Sequence, residues 1–190
     1  MVGATEKITE EYLLPLLERM INNYPFRILN FHADNGSEYI NSKVAEMLNT
    51  LLIKLTRSRP RHSNDNALIE TKNGWVVRKW LGYSHIRKEH ASRINDFYFD
   101  YFHEYLNFHR PCAFATEEID SKGKIKKKYR YQGYQTPYEK LRNMADIQKY
   151  LKEGITLEIL DRIAKRYTDN EMAQKVQVAR DKLFDKVLAA

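Results

Sequence analysis

The most constraining feature of this chain is a stretch in which two short apolar runs flank an amphipathic segment. Phe26-Arg27-Ile28-Leu29-Asn30-Phe31-His32 is short and rich in Phe, Ile and Leu, so it reads as a buried strand over 26–32. Residues 42–50 read as a helix that Asn41 or Ser42 can cap, because their side-chain oxygens accept from the unpaired N–H groups of a first turn. Leu52-Ile53-Lys54-Leu55-Thr56 is the next strand. The segment 57–65 is basic and rich in breakers, which makes it a loop. A long helix is expected from about Asn66 to Leu81, with Glu70 in its first two turns and Gly74 inside it. The order strand, helix, strand, loop, helix makes α/β the expected class.

Composition limits the partners. A chain of 190 residues suits one domain with room for an appendage. Its net charge of +7 favours polyanions, because cations placed against phosphates release counterions. Cys112 is the only cysteine, so no internal disulfide forms and a cysteine-rich zinc site is excluded. The histidines, 32, 62, 85, 90, 103 and 109, are scattered without zinc-knuckle spacing. The start lacks a signal pattern, and no run approaches the ~18 apolar residues of a membrane span. A reducing cytoplasm is the expected location, with no membrane partner.

The remaining segments follow the same rules. Residues 4–23 repeat apolar positions at three and four and read as a helix interrupted or kinked by Pro15. A strongly aromatic helix is expected over 90–107, most of its rings in the core. Asp120 to Thr136 is breaker-rich and basic, and reads either as a solvated loop or as a phosphate-binding arm with stacking tyrosines. Thr168-Asp169-Asn170-Glu171 fits a capping box that opens a final helix to about Leu188. Trp75 and Trp80 are expected in the core, and Cys112 as a small buried residue.

Two carboxylates stand out. Asp34 ends the first apolar run within Asp34-Asn35-Gly36-Ser37-Glu38, and Glu70 follows Asn64-Asp65-Asn66, with 35 residues between the two. Taken singly, Asp34 is an ordinary turn residue and Glu70 an ordinary first-turn acid. In combination, strand, Asp34, helix, strand, basic loop and Glu70 resemble the second Asp and the Glu of the Asp–Asp–Glu insertion-sequence transposases and retroviral-type integrases. Asn107-x-x-Arg110-Pro111 followed by Thr136-Pro137-x-Glu139 resembles the tail of many bacterial transposases of that kind. The resemblance runs from about 26 to 141.

The resemblance implies an α/β, ribonuclease-H-like integrase core over 1–141 and leaves 142–190 as a helical extension. It implies Mg²⁺ or Mn²⁺ held by Asp34 and Glu70, and a function in cutting and joining DNA ends. Residues 1–25 contain no Asp, and too few residues precede Asp34 for the family's opening strands. The expectation is therefore an N-terminally truncated core with two of three metal ligands, inactive alone. Expected DNA contacts are Arg57, Arg59 and Arg61 in the loop, Lys72, Arg78 and Lys79 on the Glu70 helix, and Lys126, Lys127 and Lys128 in the basic stretch. Expected partners are DNA and either further copies of this chain or a full-length transposase. Two alternatives stay open: a catalytically silent remnant that binds DNA or a transposase, and a soluble interaction module.

Overall fold

The computed structural model describes residues 1–33, 42–59, 73–121 and 123–188. Over these residues the chain is mixed α/β with two two-stranded sheets. It divides into two compact units, Met1–Asp96 with Leu183–Ala190, and Phe97–Lys182. The expected boundary at 141–142 falls inside the second unit.

In the first unit, β1 (Asn30–Ala33) pairs in parallel with β2 (Lys54–Arg57). A parallel pair cannot be closed by a tight turn and needs a crossover. Helix α2 (Ser42–Thr50) lies in that crossover, where the sequence places it. Helix α1 (Glu10–Asn23) packs Leu13 and Leu17 onto Val44 and Leu48 of α2 and onto Ile53, and Phe31 and Leu55 of the strands join the cluster. One face of the sheet is thereby covered. The other is polar: Asn30 Nδ2 donates to Thr56 Oγ1 at 3.1 Å, and His32 Nδ1 lies 2.9 Å from the same oxygen.

Both strands are displaced from the apolar runs that announce them. The run 26–32 marks where side chains seek burial, whereas ladder pairing extends only over the one-to-one register from Asn30↔Lys54 to Ala33↔Arg57. Helix α1 also starts later than residue 4. Ala4 is held outside any helix, its N–H donating to Asn95 Oδ1 and its carbonyl accepting from Asn95 Nδ2, both at 2.8 Å. A backbone already paired to a side-chain amide leaves no groups for a helical ladder.

The turn from α2 into β2 is a Schellman cap. Ile53 N–H donates to the Leu48 carbonyl at 2.8 Å and Leu52 N–H to that of Asn49 at 3.0 Å, while Ile53 and Leu48 make the accompanying apolar contact in the core. The left-handed position of such a cap favours glycine, yet it is held by Leu52 at φ 55°, 89% exposed.

Past the undescribed residues, a wide π turn Asn73–Arg78 leads into one α turn, Lys79–Leu81, which together form α3. It stops at Gly82 with φ 80°. A Cβ at Gly74 would meet nothing within 4 Å, so close packing is not the reason for a glycine there. A 3₁₀ turn Lys88–His90 opens α4 (Ala91–Phe97).

The second unit continues the aromatic helix through π turns Tyr98–Phe102 and Tyr105–His109. Phe97 and Phe102 stack at 5.4 Å, and Phe97, Tyr98 and Phe102 are buried as expected, whereas Tyr101 faces solvent. Its last residue, His109, is buried with Nδ1 3.3 Å from Asp169 Oδ1 and Nε2 3.8 Å from Glu104 Oε1, and Arg166 binds Glu104. After Pro111 the chain forms an antiparallel hairpin, β3 (Cys112–Ile119) and β4 (Ile125–Gln135), so the solvated-loop reading of 120–136 is corrected. Cys112 is half-buried rather than buried.

Thr136 then caps α5 (Pro137–Arg142) in a full capping box with Glu139. Tyr138 Oη donates to Asp161 Oδ1 at 2.7 Å, and Arg142 grips the same carboxylate with Nε at 2.7 Å and Nη2 at 3.0 Å. The Arg142 hydrogen bonds hold the Asp161 carboxyl down at about 2. Asp161 belongs to α6 (Leu157–Lys165), and α7 (Asp169–Leu188) follows. Thr168 Oγ1 accepts from Glu171 N–H at 3.3 Å and Glu171 Oε2 accepts from Thr168 N–H at 2.8 Å, the capping box read from the sequence.

The left-handed Leu52 carries the first testable consequence. Leu52→Gly removes a steric cost of about 1 kcal/mol and is expected to raise the midpoint of urea unfolding. Leu52→Val, with branching at Cβ, is expected to lower it. Equal midpoints for the three proteins would contradict the strained cap.

Candidate functional site

Parallel strands bring their C-terminal ends out on one edge, and in open α/β sheets ligands bind outside that edge. Here the edge is defined by Ala33 and Arg57, which are register partners. Ser58 N–H donates to the Ala33 carbonyl at 3.0 Å, and Ser58 Oγ also lies within hydrogen-bond range of it. The exit of β2 is thus fastened to the last residue of β1. Arg57 and Arg59 stand exposed on either side of buried Ser58. Asp34 is the next residue in the chain after Ala33. Asp34 itself lies outside the described residues, as do Glu70, Arg61 and Lys72.

His32, which the sequence does not single out, is tied to this edge through both ring nitrogens. Its Nδ1 faces Thr56 Oγ1 at 2.9 Å and its Nε2 faces Ser58 Oγ at 3.2 Å. One ring nitrogen of neutral imidazole donates and the other accepts, and hydroxyls serve both roles. The alternation His32, Thr56, Ser58 on adjacent strands is the only sequence signal for it, and it becomes readable only once the register is known.

Helix α3 presents a second cationic surface. Trp75 is 50% exposed, not in the core, and Lys79 Nζ sits over its ring at 3.1 Å from the centroid. The spacing of four residues stacks the two side chains on one helix face, and an ammonium over an indole gains from the ring's negative face. Arg78 stands 5.9 Å from the ring centroid of Tyr83, itself 83% exposed. Arg78 and Lys79, both expected DNA contacts, are therefore exposed and each is paired with an exposed aromatic ring.

The three expected contacts of the basic stretch do not act alike. Lys126 pairs with Asp120 at 3.3 Å, and Lys128 pairs with Glu118 at 2.5 Å. Arg130 also binds Glu118. The hydrogen bond from Lys128, with Arg130 nearby, lowers the Glu118 carboxyl below its usual range. Lys127 is opposite Glu117 on the other side of the ribbon.

Among the described residues no group of three or more His, Cys, Asp or Glu is placed to hold a metal ion, and the two expected ligands lie outside them. No helix among the described residues is long and apolar enough to cross a membrane.

The chain is similar to "Uncharacterized protein y4rM" of Sinorhizobium fredii (strain NBRC 101917 / NGR234), with 28% identity over 106 residues, 56% of this chain. The match spans 30% of that protein's length. No family model matches the chain, and no solved structure matches it.

The Lys79–Trp75 pair is open to a direct optical test in a Trp80→Phe background, where Trp75 is the one remaining indole. Iodide is expected to quench its fluorescence more strongly than caesium, because the ammonium concentrates anions at the ring. Lys79→Ala is expected to narrow that difference. Quenching that is weak for both ions would place Trp75 in the interior and contradict the geometry.

Proposed function

We propose that this chain carries part of a ribonuclease-H-like catalytic core that cuts and joins DNA ends in transposition or integration, with Asp34 and Glu70 as ligands of Mg²⁺ or Mn²⁺. The observation that supports this best is the parallel pairing of β1 with β2 across α2. It sets the residue before Asp34 beside Arg57 at the exit edge of the sheet. Divalent ions there would polarise the attacking and leaving oxygens of a phosphodiester. The chain's own contribution is positional. Asp34 follows directly on a strand whose end is pinned by Ser58, and ligands on pinned elements hold their geometry. Arg57 and Arg59 supply guanidinium groups suited to forked contacts with phosphate oxygens.

A second reading is favoured by the exposed pairs Trp75–Lys79 and Tyr83–Arg78, which contact DNA equally well with or without chemistry at Asp34. On that reading the chain is a silent DNA- or transposase-binding protein.

Thermal melting with and without millimolar Mn²⁺ separates the two. Two carboxylates brought together repel, so an ion that binds only the folded state raises the melting midpoint. The catalytic reading expects that rise in the wild type and its loss in both Asp34→Asn and Glu70→Gln. A rise that survives both substitutions, or no rise in any of the three proteins, would leave the binding reading in its place.

A further inference from the structure

We propose that the β3–β4 hairpin is an arm for single-stranded nucleic acid, taking unpaired bases on the face that carries its tyrosines. The proposal rests on the DNA-handling reading for its choice of ligand, but it concerns a different surface and needs no metal. Residues 112–135 carry six Lys or Arg against three Asp or Glu, so the arm as a whole attracts a polyanion.

The strand register sorts these side chains. Residues directly opposite in an antiparallel pair share a face. Lys126 opposes Glu118 and Lys128 opposes Thr116. On that face Glu118 and Asp120 take up Lys126, Lys128 and Arg130 in ion pairs. The other face holds Ile125 opposite Ile119, Lys127 opposite Glu117, and Tyr129 opposite Ala115. Because Ala115 is small, the ring of Tyr129 has no large cross-strand neighbour, and it is 67% exposed. Tyr131, two residues on and 87% exposed, pairs with the ring of Tyr134 at 5.8 Å.

A purely solvated ribbon has no physical need of such rings. Three exposed tyrosines beside lysines are the elements that bind single strands, with rings stacking on bases and cations following the backbone. Tyr129 ends the regular ladder and Tyr131 follows within the irregular stretch 130–133 opposite Phe114, and each exposed ring is a stacking surface for one base. A duplex keeps its bases stacked on each other and presents no free π-face to these rings.

The ladder is irregular where the last two tyrosines stand. The register shifts between Ala113 and Ala115, and there a Cβ on Gly133 would stand 2.9 Å from the Phe114 carbonyl oxygen. Only glycine allows that approach. The bulge lies between Tyr129 and Tyr134 and contains Tyr131, whose ring is tilted 37° to that of Tyr134.

The test is fluorescence anisotropy in EDTA with residues 1–190 and three labelled probes: a 20-mer of dT, a 20-mer of U, and a 20-base-pair duplex. The expected result is binding of one or both single strands, with Tyr129→Ala and Tyr131→Ala each weakening it roughly five- to a hundredfold. Tyr129→Phe and Tyr131→Phe are expected to keep it, since the ring rather than the hydroxyl stacks. Duplex affinity is expected to be unmoved by the tyrosine variants, and Lys126→Ala to cost single-strand affinity less than either alanine variant. A preference between dT and U reflects the 5-methyl group and the sugar together, and binding of either strand supports the proposal. Circular dichroism of each variant checks that these exposed substitutions leave the fold intact.

Equal losses for single strand and duplex, or no single-strand binding, would overturn it. So would Tyr-dependent binding to phosphatidylserine vesicles in place of oligonucleotides. With no metal in the buffer, a negative Mn²⁺ melting result leaves this measurement untouched, and the two proposals fail separately.

Discussion

The parallel pairing of Asn30–Ala33 with Lys54–Arg57 is the constraint on which the first unit depends. A parallel pair has no short connection, so its existence demands a helix between the strands, and that helix must bury an apolar face against them. Val44 and Leu48 do so at 0% and 1% exposure, and α1 closes the cluster with Leu13 and Leu17. Each fully buried aliphatic side chain of this kind contributes on the order of 1.5–3 kcal/mol relative to exposure. The surface ion pair between Lys43 and Glu10 sits beside the same helices, but such pairs contribute at most about 1 kcal/mol. Packing, not surface charge, therefore sets the register, and the register sets what stands at the exit edge.

That edge links fold to proposed chemistry. A side-chain hydrogen bond between His32 and Ser58 and a backbone one from Ser58 N–H to the Ala33 carbonyl fasten the ends of the two strands, with Arg57 and Arg59 exposed on either side of Ser58. Cationic side chains on a fixed edge meet phosphates with little reorganisation. The aromatic–cation pairs of α3 and the tyrosine face of the hairpin set exposed rings beside cations in other places. Each of these surfaces is set by its own local geometry.

The legibility of these features in the sequence followed the range of the interactions that make them. Local signals were read well. Helix Ser42–Thr50, the end of the helix at Leu81, and the capping box at Thr168 each depend on residues within a turn or two of one another. Signals that need a partner were not. The basic stretch Asp120 to Thr136 reads as a solvated loop or as a phosphate-binding arm when its charges are counted alone, whereas pairing of Lys126, Lys127 and Tyr129 with Glu118, Glu117 and Ala115 on β3 makes it one strand of a ribbon. Trp75 was assigned to the core by size, but the helix turns it outward and Lys79 covers one face of its ring. His109 gave no sign at all, since its partner Asp169 is 60 residues away. Leu52 occupies a glycine position because the cap around it is held by Leu48 and Ile53, which an intrinsic preference does not reveal.

Asp34 and Glu70 are proposed as ligands of one metal site beyond the exit edge of β1 and β2. The most direct measurement is a crystal structure grown with Mn²⁺, the ions located by their anomalous scattering. The account expects both carboxylates at a shared site, on one ion or on two ions about 3.5–4 Å apart. Carboxylates more than about 10 Å apart, with Mn²⁺ bound elsewhere or not at all, would contradict it.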